Sequence, residues 1–131
     1  MNISIEDRNQ AKKLFAQGSF YFTKGEYTKA RDAYEKAITL NPLQAEYHYR
    51  LGNSFEGQRN STDAIASYTK AIELDPTYMI AYKKLGLLLF DSGDTEQAHG
   101  ILEKYLSFNP PKRDREMVMN ILKSIVTGKN N

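Results

Sequence analysis

The chain has 131 residues, 40% of them hydrophobic and 26% charged, with 4 prolines: enough for one globular domain, too short for two separate cores and too apolar for a disordered tail. Its 18 Lys+Arg and 16 Asp+Glu are interspersed and sum to +2, which argues against nucleic acid as a partner, and without cysteine there is no disulfide framework or thiolate metal site. No basic stretch leading into an apolar run opens the chain, and no segment approaches the ~18 apolar residues of a membrane span, so a soluble, cytoplasmic protein with no membrane partner is expected.

In chain order, Ser4 and Asp7 form a capping-box-like pair that starts the first helix near Ile5. That helix should end at Gly25, a residue that accepts the left-handed conformation of a helix stop, and a second should end before Pro42. The next helical pair carries Arg59 where the others have glycine. Asn60 is then the nearest residue tolerant of the left-handed conformation, and this turn is expected to be the least regular. Asn60-Ser61-Thr62 fits a glycosylation acceptor, but without a secretory signal it reads as a helix cap. A third pair turns at Gly93 and ends before Pro110. Beyond a two-residue insertion at Pro110-Pro111, the i, i+3, i+4, i+7 spacing of Val118, Ile121, Leu122 and Ile125 predicts a last helix over about 113–127. Tyr105 replaces the small residue found at Ala37 and Ala71, which should seat this helix at a wider spacing, and Met117 and Met119 are expected to pack within it.

One period of 34 residues runs through these elements. It relates Pro42, Pro76 and Pro110; Gly18, Gly52 and Gly86; Ala30, Ala64 and Ala98; and Tyr34, Tyr68 and Leu102. Glycine inside a helix costs about 0.5–1 kcal/mol relative to alanine, so three glycines at one phase imply an offsetting close approach of paired helices. The blocks "AKKLFAQGSFYFTKGEYTKARDAYEKAITLNP", "AEYHYRLGNSFEGQRNSTDAIASYTKAIELDP" and "MIAYKKLGLLLFDSGDTEQAHGILEKYLSFNP" resemble the tetratricopeptide repeat. The resemblance implies an all-α fold: a right-handed superhelix of three antiparallel helical hairpins, an α-solenoid, with a C-terminal capping helix over its open end. Residues 1–131 are expected as one domain, with repeats at 11–44, 45–78 and 79–112.

No catalytic, metal-binding or cofactor-binding set emerges. His48 and His99 are the only imidazoles and lie in different repeats; His48 takes the phase of Leu14 and Tyr82 and reads as a partly buried packing residue. There is no Gly-rich phosphate loop, and the acidic residues look like solvated helix faces. An enzyme is therefore not expected.

The resemblance also implies that partners bind in the concave groove lined by the first helix of each repeat. Residues there not required for packing are Lys12, Phe15, Ser19 and Phe22; Glu46, Tyr49, Arg50 and Asn53; and Ile80, Lys83, Lys84, Leu87 and Phe90. Their large apolar groups mark an interaction surface, unless the extended first helix or the cap folds over them. Arg50, Lys83 and Lys84 should form a cationic strip suited to an acidic and apolar peptide segment of another protein. Co-chaperone repeats of this family grip the heat-shock chaperones' C-terminal Glu-Glu-Val-Asp with a lysine, asparagine and arginine clamp. At the clamp phases this chain has Phe15, Ser19, Arg50, Ile80 and Lys84, and only the charge at Lys84 matches. An adaptor or scaffold module is the leading expectation; a secretion-type chaperone holding an unfolded client, as in the three-repeat translocator chaperones, and a regulatory subunit of a partner enzyme stay open.

Overall fold

Seven α-helices and no strand make up residues 2–128, the part of the chain described by the computed structural model: α1 (Ile5–Thr23), α2 (Tyr27–Leu40), α3 (Ala45–Gly57), α4 (Ser61–Leu74), α5 (Met79–Asp91), α6 (Thr95–Ser107) and α7 (Lys112–Thr127). The fold is all-α and built from helical repeats. None of these helices is long and apolar enough to cross a membrane. The chain divides into two compact units, α1 to α4 up to Pro76 and α5 to α7 from Thr77.

In the first unit α1 pairs with α2 and α3 with α4, and α2 packs against α3. Ser4 caps α1 by accepting the Asp7 N–H at 3.0 Å, so the helix begins at Ile5, well before the repeat requires it. The hairpins close as the 34-residue period predicts: Ala30 and Ala64 are fully buried, and the rings of Tyr34 and Tyr68 lie over the bare backbone of Gly18 and Gly52. A further glycine, Gly57, takes the ring of Tyr27 in the same way; an added Cβ would lie 2.5 Å from it. Tyr27 opens α2 and Gly57 closes α3, so this contact fixes how the two hairpins of the unit meet.

In the second unit α5 pairs with α6, and α7 packs on α6. Leu102 takes the tyrosine position and covers Gly86, while Ala98 is fully buried. Val118 is α7's fully buried residue, with Ile121, Leu122 and Ile125 half-buried beside it. Met117 and Met119 do not pack as expected: they are 37% and 55% exposed, because the arc of α7 centred on Val118 faces α6 and both methionines lie off it. The expected insertion shows as a change of backbone. Asn41 and Asp75 end α2 and α4 at φ −142° and −139°, whereas Asn109, at the same phase, turns to +56°.

The middle turn corrects the sequence expectation. Gly25 and Gly93 take the left-handed conformation at φ +75° and +90°, and in the middle hairpin Arg59 itself does so at +59°. Asn60 stays at φ −101° and caps α4, accepting the Asp63 N–H at 3.2 Å. The turn is as regular as the others, since Asn60 N–H bonds the Phe55 carbonyl as Glu26 bonds Tyr21 and Asp94 bonds Leu89. That shared bond holds the geometry, so Arg59 pays the strain. A left-handed non-glycine residue costs roughly 1–2 kcal/mol, and glycine gives back part of this through its looser unfolded chain. Arg59→Gly is expected to stabilise the protein by about 0.5–1 kcal/mol. A urea midpoint that does not rise would place the strain elsewhere.

Candidate functional site

On the first unit the inner positions of α1 and α3 are more engaged than their sequence phase suggested. Phe15 stacks on Tyr47, centroids 4.7 Å apart and planes 24° apart, and leans on Tyr34 at 5.4 Å. It belongs to the cluster of Ala11, Ala37 and Tyr47, so it is a packing residue with one face left half-exposed. Phe22 meets Tyr27 edge-on at 5.3 Å, and Tyr49 lies 5.7 Å from Tyr68. Lys12 is exposed.

Two buried tyrosines bring hydroxyls to this surface. Ser19 Oγ lies 3.0 Å from the Tyr34 hydroxyl, and 34 residues on, the Tyr68 hydroxyl donates to Asn53 Oδ1 at 2.7 Å. Tyr68 also lies within hydrogen-bonding distance of Glu56 Oε1. Burial, and then the Glu56 carboxylate, push the Tyr68 pKa far up. Burial raises Tyr34 as well, while Ser19 and the nearby Arg50 charge pull the other way. Ser19 and Asn53 are therefore held in place by the hairpin's own core. Tyr34, Tyr68 and Glu56 were not foreseen as part of this surface, although the sequence carries a signal. Ser19 with Tyr34 and Asn53 with Tyr68 are each 15 residues apart and polar, while Leu87 and Leu102 at the same spacing are both apolar.

Arg50 joins this cluster from α3. Its Nη2 is 3.9 Å from Glu46, its guanidinium is 5.8 Å from the Tyr49 ring, and its side chain is 42% exposed. Among the described residues, Arg50 Nε is the buried side-chain polar atom that bonds nothing. A buried donor left unmade costs about 1–3 kcal/mol.

The second unit carries Lys83, Lys84, Leu87 and Phe90 on α5, all half-buried. Lys83 is not the open cation that its position implied. Its Nζ lies 2.8 Å from Asp114 Oδ2 on α7, and the same oxygen accepts the Tyr105 hydroxyl at 2.8 Å. Lys83 and then Tyr105 hold the Asp114 carboxyl below its ordinary range, while burial and then Asp114 push Tyr105 up to about 12. Ile80 is 36% exposed at the start of α5.

His48 packs as expected. It is 8% exposed, its Nε2 donates to the Pro42 carbonyl at 3.0 Å, and burial lowers its pKa. Among the described residues no group of three or more His, Asp or Glu is placed to hold a metal ion.

Comparison with known proteins fits this geometry. Family models of the tetratricopeptide repeat match residues 15–78 and 60–98. The chain is 33% identical over 107 residues to the small glutamine-rich tetratricopeptide repeat-containing protein 2 of Mycosarcoma maydis, and 30% identical over 92 residues to the peroxisomal targeting signal receptor of Saccharomyces cerevisiae. These alignments take in 82% and 70% of this chain but only 30% and 15% of the relatives' lengths. Among solved structures, the first TPR of Spaghetti (RPAP3), bound to the HSP90 peptide SRMEEVD, superposes with a TM-score of 0.79 over 93% of this chain and 97% of its own, at 23% identity. The 34-residue period, the tyrosine-on-glycine hairpins and these matches together establish that the chain belongs to the tetratricopeptide-repeat family.

Proposed function

We propose that this chain is a non-catalytic protein-interaction module that binds an acidic and apolar peptide segment of a partner protein. Arg50 carries this reading: a half-exposed guanidinium set beside aromatic rings and two hydroxyl or amide side chains already fixed in place. An arginine fork is suited to a carboxylate, and Phe15, Phe22 and Tyr49 offer partly exposed rings for apolar side chains beside it. Lys12, Ser19 and Asn53 complete the contacts of the first unit. Lys83, Lys84, Leu87 and Phe90 are the contacts proposed on the second. Spaghetti's acidic HSP90 peptide is the kind of ligand meant. The clamp residues at Phe15 and Ile80 do not favour that same motif here, so the partner's sequence is a different one.

Arg50→Glu sets a second carboxylate beside Glu46 and is expected to reduce capture of partners from lysate at least tenfold, with helicity unchanged. A tenfold loss corresponds to about 1.4 kcal/mol, within the range of one truncated charge contact. Lys36→Glu, on the exposed surface of α2, is the control and should capture as the wild type does. Loss of partners in the control with retention in Arg50→Glu would move the binding surface to α2 and favour the regulatory-subunit reading.

A further inference from the structure

Lys83 sits at the phase that holds Phe15 on α1 and Tyr49 on α3, yet it carries a charge where they carry rings. Its ammonium and the Tyr105 hydroxyl converge on one point, occupied by Asp114 Oδ2 at 2.8 Å from each. Tyr105 is 1% exposed and fixed in the core, while the Lys83 and Asp114 side chains are 23% and 25% exposed. One wall of the arrangement is therefore rigid and the ion pair is open to water. Asp114 belongs to the first turn of α7, whose N-cap, Pro111, makes no side-chain hydrogen bond.

We infer that the Lys83 ammonium and Tyr105 hydroxyl form a carboxylate-binding subsite, kept filled by the chain's own Asp114, for which an acidic side chain of the partner competes. The ammonium and the phenol each give a carboxylate oxygen a charge-assisted hydrogen bond, stronger than a neutral one. The same pair of donors does not distinguish a tethered carboxylate from a free one. An intramolecular occupant has the advantage of effective concentration, so only a segment anchored elsewhere on the chain displaces it. Asp114 thus acts as a built-in competitor that raises the affinity a partner must reach. The subsite stands on this geometry alone, whereas its use by a partner rests on the function proposed above.

Sodium acetate is the probe. Asp114→Ala leaves both donors without their acceptor, and its thermal midpoint in sodium chloride should fall several degrees below the wild type. In sodium acetate of equal ionic strength the midpoint should recover in part, rising saturably with acetate, because a ligand bound only by the folded state stabilises it. The wild type, whose subsite is filled, and Asp114→Ala with Lys83→Met, which lacks the cation, should show only the small, non-saturating shift between the two salts that acetate gives by exclusion from any protein surface. An Asp114→Ala midpoint that responds to acetate no more than the wild type does would overturn the subsite. A second variant, Asp114→Asn, keeps the shape of the side chain and the fold while removing its charge, and should capture partners several-fold more tightly than the wild type. Acetate rescue with unchanged or weaker capture by Asp114→Asn would overturn the competition and leave the subsite standing. Failure of the Arg50→Glu test would instead strike the functional reading, with no bearing on acetate rescue.

Discussion

Replacing Gly52 with leucine is expected to destabilise the protein by about 2–4 kcal/mol. A Cβ at this position would lie 2.6 Å from Tyr68 Cε1 and 2.7 Å from Cδ1, well inside any contact a real side chain makes. The ring cannot step aside: Tyr68 is fully buried, and its hydroxyl is bonded to Asn53 and Glu56. Overpacking of this kind costs about 1–3 kcal/mol, and pulling the hydroxyl off its partners adds about 0.5–1.5. Better helix propensity returns less than about 1 kcal/mol. Gly100 separates the two effects, because it lies inside α6 with nothing within 4 Å of an added Cβ. Gly100→Ala should therefore stabilise by about 0.5–1 kcal/mol. Urea titrations in which both substitutions raise the midpoint would mean that helix propensity outweighs the clash with the tyrosine ring at Gly52.

The hairpins were legible because their determinants are periodic and local. Glycines, alanines and prolines at one phase each impose a backbone requirement that no other residue type meets as well. The left-handed turn was misplaced by one residue at Arg59 for the same reason: residue preference pointed to Asn60, but the bond from residue 60 to the Phe55 carbonyl fixes residue 59 as the one that turns. The candidate surface was legible in position and not in engagement. Phe15 lies where α1's packing arc gives way to its free arc, and whether it is covered depends on the size of Tyr47, which belongs to another helix. The Lys83–Asp114 pair was hidden more deeply. Its partners are 31 residues apart on different helices, and Lys83 takes the phase of Phe15 and Tyr49, which gives no sign of a carboxylate to come. What the sequence did offer, unread, was the matched polarity of Ser19 with Tyr34 and Asn53 with Tyr68, set against Leu87 with Leu102.

Ending the chain at Lys112 is expected to have a larger effect, a loss of about 3–6 kcal/mol that falls on the second unit. Val118 is fully buried and contributes about 1.5–3 kcal/mol; Ile121, Leu122 and Ile125, half-buried, contribute smaller shares of the same kind. Truncation also removes Asp114, which leaves the fully packed Tyr105 hydroxyl and the Lys83 ammonium without their shared acceptor. What remains of the unit is α5 and α6, a single hairpin, and a domain's whole stability is only about 5–15 kcal/mol. Amide hydrogen exchange reads the outcome by region. Protection in α5 and α6 should fall by at least a hundredfold, since about 2.8 kcal/mol already corresponds to that factor. A shorter truncation ending at Leu122 keeps Asp114 and Val118 and should retain most of that protection. Equal exchange in α5 and α6 with and without α7 would show that the helix covers a surface the hairpin does not need covered, and that Val118 and Asp114 contribute nothing to holding it.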